Sequence, residues 1–389
     1  MRSFQADRIH EANSFPSIRL GSFPSLNIIK SRTAARFDQH KAYTFQAVST
    51  MVSDKDVPVV LVAGATGRVG RKVVNLLLSR SKDPDDKLPE LKVKALARDT
   101  DKAARVLPSD ENVEVIKCDL GDASAVARCC KGVDAVIWCA TGFSDSSDSS
   151  LLNKLLGVAR LKLTPRQSID IAGLSQIGKL LEGQASHPDL PGPRVVMCSS
   201  AAVTRPTWNE EKKMRYEGAA DIPIVRLNPL GILDVKRDGE QALRSSGVSY
   251  AIVRPCGLND NWPSGRAVFS QGDIAVGRIN REDVAQLLVQ VLLEKDAQGK
   301  TFECVALPGY PSPKSCSLQL ARLKLDGDAS ISNIDVLDAQ YALLQQLVPG
   351  ETMQPNQLAM GQTYEQLDSG QVGRLGKRGQ ERPPLARTD

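Results

Sequence analysis

Three glycines at three-residue spacing suggest a turn that can bind phosphate. Gly64, Gly67 and Gly70 lie in Gly-Ala-Thr-Gly-Arg-Val-Gly, between the apolar run Val59–Ala63 and a segment of helical periodicity. In this context the first glycine permits a tight turn, the second lets a pyrophosphate approach the backbone, and the third lets helix and strand pack closely. The helix N-terminus adds unpaired N–H groups and about half a positive charge. The residues predicted to form this dinucleotide site are Gly64, Thr66, Gly67, Arg68, Val69 and Gly70.

The end of the second predicted strand indicates which dinucleotide to expect. There Ala97 is followed by Arg98 and Asp99. An acid at this position binds the ribose 2′-hydroxyl of NAD(H), whereas an arginine nearby binds the 2′-phosphate of NADP(H). Because Arg98 comes first and Arg68 can reach the same corner from the turn, the sequence favours NADP(H). Asp99 leaves NAD(H) as the alternative.

Residues at other strand ends complete the predicted cofactor site. Asp119 and Leu120 follow the third apolar run, where an aspartate can accept a hydrogen bond from the adenine amino group. Simple capping of the strand end is the alternative for Asp119. The predicted set also contains Ala140 and Thr141, at the end of the fourth run, and Pro255, after the sixth.

Short apolar runs alternate with helical segments over residues 57–308, and these elements would position the site. The apolar runs are Pro58–Ala63, Lys92–Ala97, Val113–Cys118, Ala135–Ala140, Arg194–Ser199, Ser249–Val253 and Thr301–Ala306. The helical segments lie near Val69–Ser79, Lys102–Leu107, Ala123–Cys130, Pro165–Leu181, Leu230–Ser245 and Arg281–Leu293. Such alternation predicts an α/β domain with a doubly wound parallel sheet, the Rossmann architecture.

Composition excludes several other classes of protein. The chain has 389 residues, 41% of them hydrophobic, and a net charge of +5. No run approaches the roughly 20 apolar residues of a membrane-spanning helix. The 3 histidines and 8 cysteines show neither a Cys-x-x-Cys pair nor a His cluster, so no metal site is predicted. No basic and aromatic stretch indicates nucleic-acid binding.

The two ends of the chain differ from the alternating part. Residues 1–51 carry 7 Lys/Arg against 3 Asp/Glu, are rich in Ser and lack a long apolar run. This pattern predicts a transit peptide, preferably for the chloroplast, with a plain disordered N-terminus as the alternative. Residues 309–389 are predicted to be an extension with one amphipathic helix at Ile334–Leu347, followed by a disordered tail.

Several motifs resemble atypical short-chain dehydrogenases/reductases over residues 57–308. They are the glycine turn, Ala97-Arg98-Asp99, Cys118-Asp119-Leu120, Val196-Met197-Cys198-Ser199-Ser200 and Ile252-Val253-Arg254-Pro255. The segment from Asn228 to Gly247 and Gln271-Gly272-Asp273 resemble plastid members, including photosystem II assembly and high-chlorophyll-fluorescence-type proteins and a dehydrogenase-like translocon component. The resemblance implies a chloroplast protein, in the stroma or peripheral to the thylakoid, that binds NADP(H) and possesses thylakoid or photosystem assembly partners.

The resemblance also implies catalytic residues, one of which is missing. Dehydrogenases of this family use Tyr-x-x-x-Lys after a strand-end serine, and here Ser199 (or Ser200) and Lys236 match the serine and the lysine. Ile232 stands at the tyrosine position, and an isoleucine cannot transfer a proton. Loss of such an acid typically costs ~10²–10⁴ in rate. We therefore expect a scaffold or assembly factor for photosynthetic complexes; the alternative is an NADPH-dependent reductase of a small metabolite that uses Lys236 without the tyrosine.

Overall fold

A computed structural model describes residues 57–141, 169–184, 187–228 and 231–347. All of these belong to one compact unit. The predicted transit peptide at 1–51 and the predicted disordered tail after residue 347 lie outside the described residues, as does the start of the helix expected at Pro165–Leu181.

A mostly parallel sheet of 8 strands forms the centre of this unit. Its strands, in chain order, are β1 (Val59–Ala63), β2 (Lys92–Ala97), β3 (Val113–Lys117), β4 (Ala135–Trp138), β5 (Val195–Cys198), β6 (Tyr250–Pro255), β8 (Gly265–Ser270) and β10 (Lys300–Pro308). Their spatial order is β3-β2-β1-β4-β5-β6-β10-β8. The sheet is doubly wound about β1, as predicted, and the carboxyl ends of its parallel strands meet at one edge.

The structure adds strands that the sequence did not predict. β8 runs antiparallel to β10 at the edge of the sheet, and β7 (Gly257–Leu258) pairs in parallel with β9 (Arg278–Ile279) in a separate small ladder. β8 escaped prediction because it has the weak apolar pattern of an edge strand, with Gly265 and Arg266 at its start. The otherwise parallel sheet therefore ends in one antiparallel strand.

Helices cover both faces of the sheet. In chain order they are α1 (Gly70–Ser81), α2 (Thr100–Val106), α3 (Ala123–Cys129), α4 (Ile169–Glu182), α5 (Glu210–Arg215), α6 (Glu217–Ala220), α7 (Pro223–Leu227), α8 (Ile232–Arg244), α9 (Arg281–Val291), α10 (Ser317–Arg322) and α11 (Ile334–Leu347). α1 and α9 bury their apolar sides in one core cluster, which includes Leu77 and Leu288. α3, α4 and α8 cover the other face, where Leu174 and Leu243 pack with Trp138. These are the i, i+3, i+4 patterns that predicted the helices.

The described part of the C-terminal extension packs on both faces of the β10/β8 edge. Leu320 of α10 joins the cluster beneath α1 and α9, whereas Leu337 and Leu344 of α11 are buried on the opposite side. α11 has the bounds expected from the sequence; α10 was not predicted, because only 6 residues form it. The extension thus contributes to the core as far as residue 347.

Candidate functional site

The three glycines of the turn have different structural roles. Gly64 adopts a φ of +76°, and a Cβ atom there would lie 2.7 Å from the backbone nitrogen of Ala140. A Cβ on Gly70 would lie 2.1 Å from the carbonyl oxygen of Gly64. A Cβ on Gly67, which is exposed, would meet only that same oxygen, at 3.1 Å. The fold itself therefore requires Gly64 and Gly70, whereas the missing side chain of Gly67 leaves room for a ligand.

The start of α1 offers unpaired backbone donors beside this space. Val69 precedes the helix without a side-chain cap. Within the described residues, the N–H groups of Val69 and Gly70 have no acceptor, while the N–H of Arg71 already donates to Gly67 at 3.1 Å. Free N–H groups at a helix N-terminus favour a phosphate. We call residues 64–70 the phosphate turn.

At the end of β2 the two candidate side chains are used differently. Asp99 caps α2, because its Oδ1 accepts a hydrogen bond from the N–H of Lys102 at 2.9 Å. This hydrogen bond is the main reason that the pKa of Asp99 lies below its ordinary value. Arg98 is exposed and makes no hydrogen bond or ion pair with any described residue. Of the two side chains, only Asp99 stabilises the described part of the fold by a hydrogen bond, and Arg98 is available to a ligand.

Arg68 of the phosphate turn contacts a residue that the sequence did not indicate. Its Nη2 lies 2.7 Å from Oδ2 of Asp260, and Nη1 of Arg281 lies 2.9 Å from the other oxygen of the same carboxylate. Asp260 is 192 positions away along the chain. No local pattern around Asp260 could have revealed this contact.

The remaining predicted cofactor residues lie along the same edge of the sheet. Asp119 accepts a hydrogen bond from the N–H of Gly121 at 2.9 Å, which is the turn-capping alternative considered for it. Its side chain is nevertheless exposed, and Leu120 beside it is buried. Ala140 touches Gly64 through its backbone, Thr141 is exposed at the limit of the described segment, and Pro255 is buried at the end of β6.

Ser199, the candidate catalytic serine, is bound to a buried carboxylate. Its hydroxyl donates to Oε1 of Glu240 at 2.6 Å. Arg254 donates a hydrogen bond to each oxygen of Glu240, from Nε at 2.9 Å and from Nη2 at 2.6 Å. Burial raises the pKa of Glu240, but Arg254 and then Arg244 lower it by more, so the net pKa lies below its ordinary value. The hydroxyl hydrogen of Ser199 is therefore used inside the protein, and its lone pairs remain for a ligand.

Lys236 lies one helical turn before Glu240 and has no such partner. Its side chain is only 6% exposed, and no described residue offers it a hydrogen bond or an ion pair. Its charge acts on the thiols of Cys139 and Cys198, whose pKa values burial nevertheless raises, that of Cys198 to about 11. A buried ammonium group without an acceptor is costly unless a ligand completes its surroundings. Lys236 thus marks the ends of β4 and β5 as the place of a polar ligand group.

Glu303 extends the charged group beneath Ser199. It pairs with Arg254 in the register of β10 and β6, and its Oε1 lies 3.6 Å from Nη1 of that arginine. Neither of its oxygens makes a hydrogen bond of normal geometry with a described residue. Burial, followed by the charge of Asp273, raises the pKa of Glu303 to about 8. Arg244, which is half-buried, lies 3.1 Å from Oε2 of Glu240. We call Glu240, Arg244, Arg254 and Glu303 the buried charge cluster.

Sequence reasoning missed the buried charge cluster, although a signal was present. Arg254 and Glu303 each interrupt a strongly apolar strand, in Ile-Val-Arg-Pro and Phe-Glu-Cys-Val. Charged residues in central strands are rarely buried unless they are paired. Two opposite charges in two such strands therefore indicated a pair.

The tyrosines near the site do not replace the missing one. The hydroxyl of Tyr216 donates to Asp338 at 2.8 Å, and that of Tyr250 donates to Asp326 at 3.0 Å. Burial is the first cause that raises the pKa of Tyr216, to about 12. Ile232 packs beside Val203 and Ile222. Ile232 therefore has an apolar neighbourhood, and both tyrosines have acceptors elsewhere.

Neither a metal-binding cluster nor a membrane-spanning helix occurs among the described residues. No group of three or more His, Cys, Asp or Glu side chains there could hold a metal ion. Among the described helices, none has the length and apolar character needed to cross a membrane.

Known proteins resemble this chain over the region that carries the phosphate turn. A family model described as NAD(P)H-binding matches residues 64–295. The uncharacterized chloroplastic protein At2g34460 of Arabidopsis thaliana is 28% identical over 255 residues, which are 65% of this chain and 78% of that protein. The uncharacterized sugar epimerase YhfK of Bacillus subtilis is 26% identical over 63% of this chain and 92% of its own length.

A third relative is a larger chloroplast protein. TIC 62 of Pisum sativum is 24% identical over 235 residues, which are 56% of this chain but only 36% of TIC 62. The match with the family model spans more than half of the chain and includes the phosphate turn, Ser199 and Lys236. The chain therefore belongs to the NAD(P)H-binding family of Rossmann-fold proteins of the short-chain dehydrogenase/reductase type.

Proposed function

We propose that this protein binds NADP(H) in the chloroplast and serves as a scaffold or assembly factor for photosynthetic complexes. One observation carries the proposal: the phosphate turn is ready for a ligand, whereas the tyrosine position beside Lys236 holds Ile232. A protein with such a site keeps the means to bind the cofactor and lacks the usual means to transfer a proton.

The donors at the phosphate turn fit a pyrophosphate, and Arg98 favours the phosphorylated cofactor. The N–H groups of Val69 and Gly70 would bind the pyrophosphate, and the absence of a side chain on Gly67 would admit it. Arg98 would pair with the 2′-phosphate, because Asp99 uses one oxygen to cap α2. Lys236 would hold the ribose at the other end of the cofactor.

The location is proposed from two independent observations. Residues 1–51 have the composition of a transit peptide, and two relatives, At2g34460 and TIC 62, are named as chloroplastic. Fused to a fluorescent reporter, residues 1–51 should direct it into chloroplasts; a cytosolic or mitochondrial reporter would contradict this. An alkaline wash of chloroplast membranes should release the mature protein, because we propose that it is either in the stroma or peripheral to the thylakoid; protein that stays with the washed membrane would contradict this.

Lys236 supports a second candidate, an NADPH-dependent reductase of a small metabolite. Bound NADPH would supply a hydride, and the ammonium of Lys236, which lacks a partner among the described residues, would give a proton to the substrate oxygen. Ser199 would then accept a hydrogen bond from the ligand, since its own hydrogen is held by Glu240. The lysine would regain its proton from solvent.

Calorimetric titration of the full-length protein with NADPH and NADH tests the common part of both candidates. We expect NADPH to bind more tightly. If neither nucleotide binds, both candidates are wrong.

Two further measurements separate the candidates. For the scaffold, we expect tagged protein from chloroplasts to carry photosystem subunits, and bound NADPH to stay reduced when aldehydes, ketones and quinones are added. For the reductase, nicotinamide absorbance should fall with one of these carbonyl compounds, and Lys236→Met should slow that reaction about 100-fold. The conservative variant Lys236→Arg, which keeps the charge, controls for simple loss of binding.

A further inference from the structure

Asp260 brings a negative charge to the site that the phosphate turn offers to anions. Its carboxylate bridges Arg68 of the turn, at 2.7 Å, and Arg281 at the start of α9, at 2.9 Å. The side chain of Arg68 is about half exposed, at 52%, whereas that of Arg281 is only 11% exposed. Of the two arginines, Arg68 is therefore the one that can turn toward a ligand.

The loop that carries Asp260 is held by hydrogen bonds on both sides of that residue. The N–H of Asn259 donates to Ile279 at 3.1 Å, and the N–H of Trp262 donates to Asn259 at 3.2 Å. The indole of Trp262 donates to the carbonyl oxygen of Ala306 at 3.3 Å. Because the loop is held in place, Asp260 cannot easily follow Arg68 if that side chain moves.

Asp260 is ionised at neutral pH. Burial raises its pKa, but Arg281 and then Arg68 lower it by more, and the net pKa lies below its ordinary value. The carboxylate thus neutralises a positive charge of the phosphate turn and would also repel a phosphate that approached Arg68.

We propose that Asp260 restrains the affinity of the site for dinucleotides, because a cofactor phosphate must exchange with its carboxylate for the guanidinium of Arg68. This inference rests on the proposed function, namely dinucleotide binding at the phosphate turn. The phosphate concerned belongs either to the pyrophosphate, which NADPH and NADH share, or to the 2′ position, which only NADPH carries.

The test is calorimetric titration of full-length wild type and Asp260→Asn with NADPH and with NADH. The amide keeps the size of the side chain but removes its charge. We expect Asp260→Asn to bind about three- to fivefold more tightly, which is the range for releasing an exposed ion pair. A gain with both nucleotides identifies the pyrophosphate as the partner of Arg68, and a gain with NADPH alone identifies the 2′-phosphate.

Glu282→Gln provides a matched control. This substitution also removes one negative charge close to the site. Glu282, however, pairs with Lys72 of α1, at 2.8 Å, and not with the phosphate turn. Its affinity should stay within about twofold of wild type. In an Arg68→Gln background the gain from Asp260→Asn should vanish, because the two residues act on each other.

The outcomes separate this inference from the proposed function. If wild type binds and Asp260→Asn binds equally or more weakly, the inference is wrong while dinucleotide binding stands, and a weaker variant means that Asp260 positions Arg68 for the ligand. A gain that persists without Arg68 also overturns the inference. If only Asp260→Asn binds, the restraint by Asp260 is supported while the proposed function is wrong for the wild-type protein; if neither protein binds, both proposals are wrong.

Discussion

The phosphate turn and the buried charge cluster occupy the same edge of one sheet, yet they are built in opposite ways. The turn consists of 7 consecutive residues and offers backbone N–H groups and an open space at Gly67. The cluster joins side chains from β6, α8 and β10, and Glu240 and Glu303 have almost no exposure to solvent. The contrast suggests that changes in the turn mainly alter ligand binding, whereas changes in the cluster mainly alter stability.

The largest expected effect lies in the cluster. Glu240→Ala would leave Arg254 buried without its bidentate partner, and breaking such a pair typically costs about 3–5 kcal/mol of unfolding free energy. Chemical denaturation measures this loss. Glu210→Ala, which removes an exposed partner of Lys213, should cost less than about 1 kcal/mol. Equal losses from the two variants would show that the cluster does not hold the fold.

The opposite result is expected from the turn. Gly67→Val should weaken NADPH binding by about 100-fold or more, because a branched side chain would fill the space where a pyrophosphate must approach the N–H groups. The melting temperature should fall only slightly, since the backbone of Gly67 is outside the left-handed region. Gly183→Val is the control, because a Cβ atom on Gly183 would meet no other atom within 4 Å, and this variant should bind NADPH as tightly as the wild type. Unchanged affinity in a folded Gly67→Val protein would mean that the turn is only structural.

The buried charge cluster should also make the stability of the protein depend on pH, through the carboxyl group of Glu303. The pKa of Glu303 is raised from its usual range to about 8, so the folded protein holds this proton more tightly than the unfolded chain does. Its contribution to stability is then full below the unfolded pKa and is lost as pH rises through about 8.

We therefore expect the unfolding free energy to fall by about 1 kcal/mol for each pH unit between 6 and 8 through this group. Glu303→Gln should flatten that slope in denaturation curves measured at several pH values. If Glu303→Gln leaves the slope of unfolding free energy against pH unchanged, another titratable group causes that slope.

A smaller effect is expected on cofactor choice at the end of β2. Arg98→Glu should weaken the binding of NADPH by about tenfold relative to the binding of NADH, because a carboxylate would repel the 2′-phosphate that Arg98 is proposed to bind. Calorimetry with both nucleotides checks this, and Arg105→Glu, in the last turn of α2 and so at the other end of the helix from Arg98, serves as a charge-matched control. If wild type binds the two nucleotides equally, Asp99 rather than Arg98 dominates this corner.

Much of the architecture could be predicted because its determinants are local. The apolar runs at β1, β4 and β5 are continuous, as expected for strands that are covered on both faces. α11 was predicted to the residue from its apolar periodicity. β8 was missed because an edge strand needs no such run, and its pairing with β10 is decided by a neighbour distant in the chain.

By itself, the sequence determined the Rossmann-type sheet, the phosphate turn and the absence of the tyrosine at position 232, since each depends on a short stretch of residues with a fixed spacing. Only the tertiary structure decided that Glu240 takes the hydrogen of Ser199 and that Asp260 reaches Arg68. The physical reason is that a side chain's charge and hydrogen bonds depend on which groups come near it in space. For Ser199, Arg68 and Lys236 those groups come from distant segments that only the folded sheet brings together.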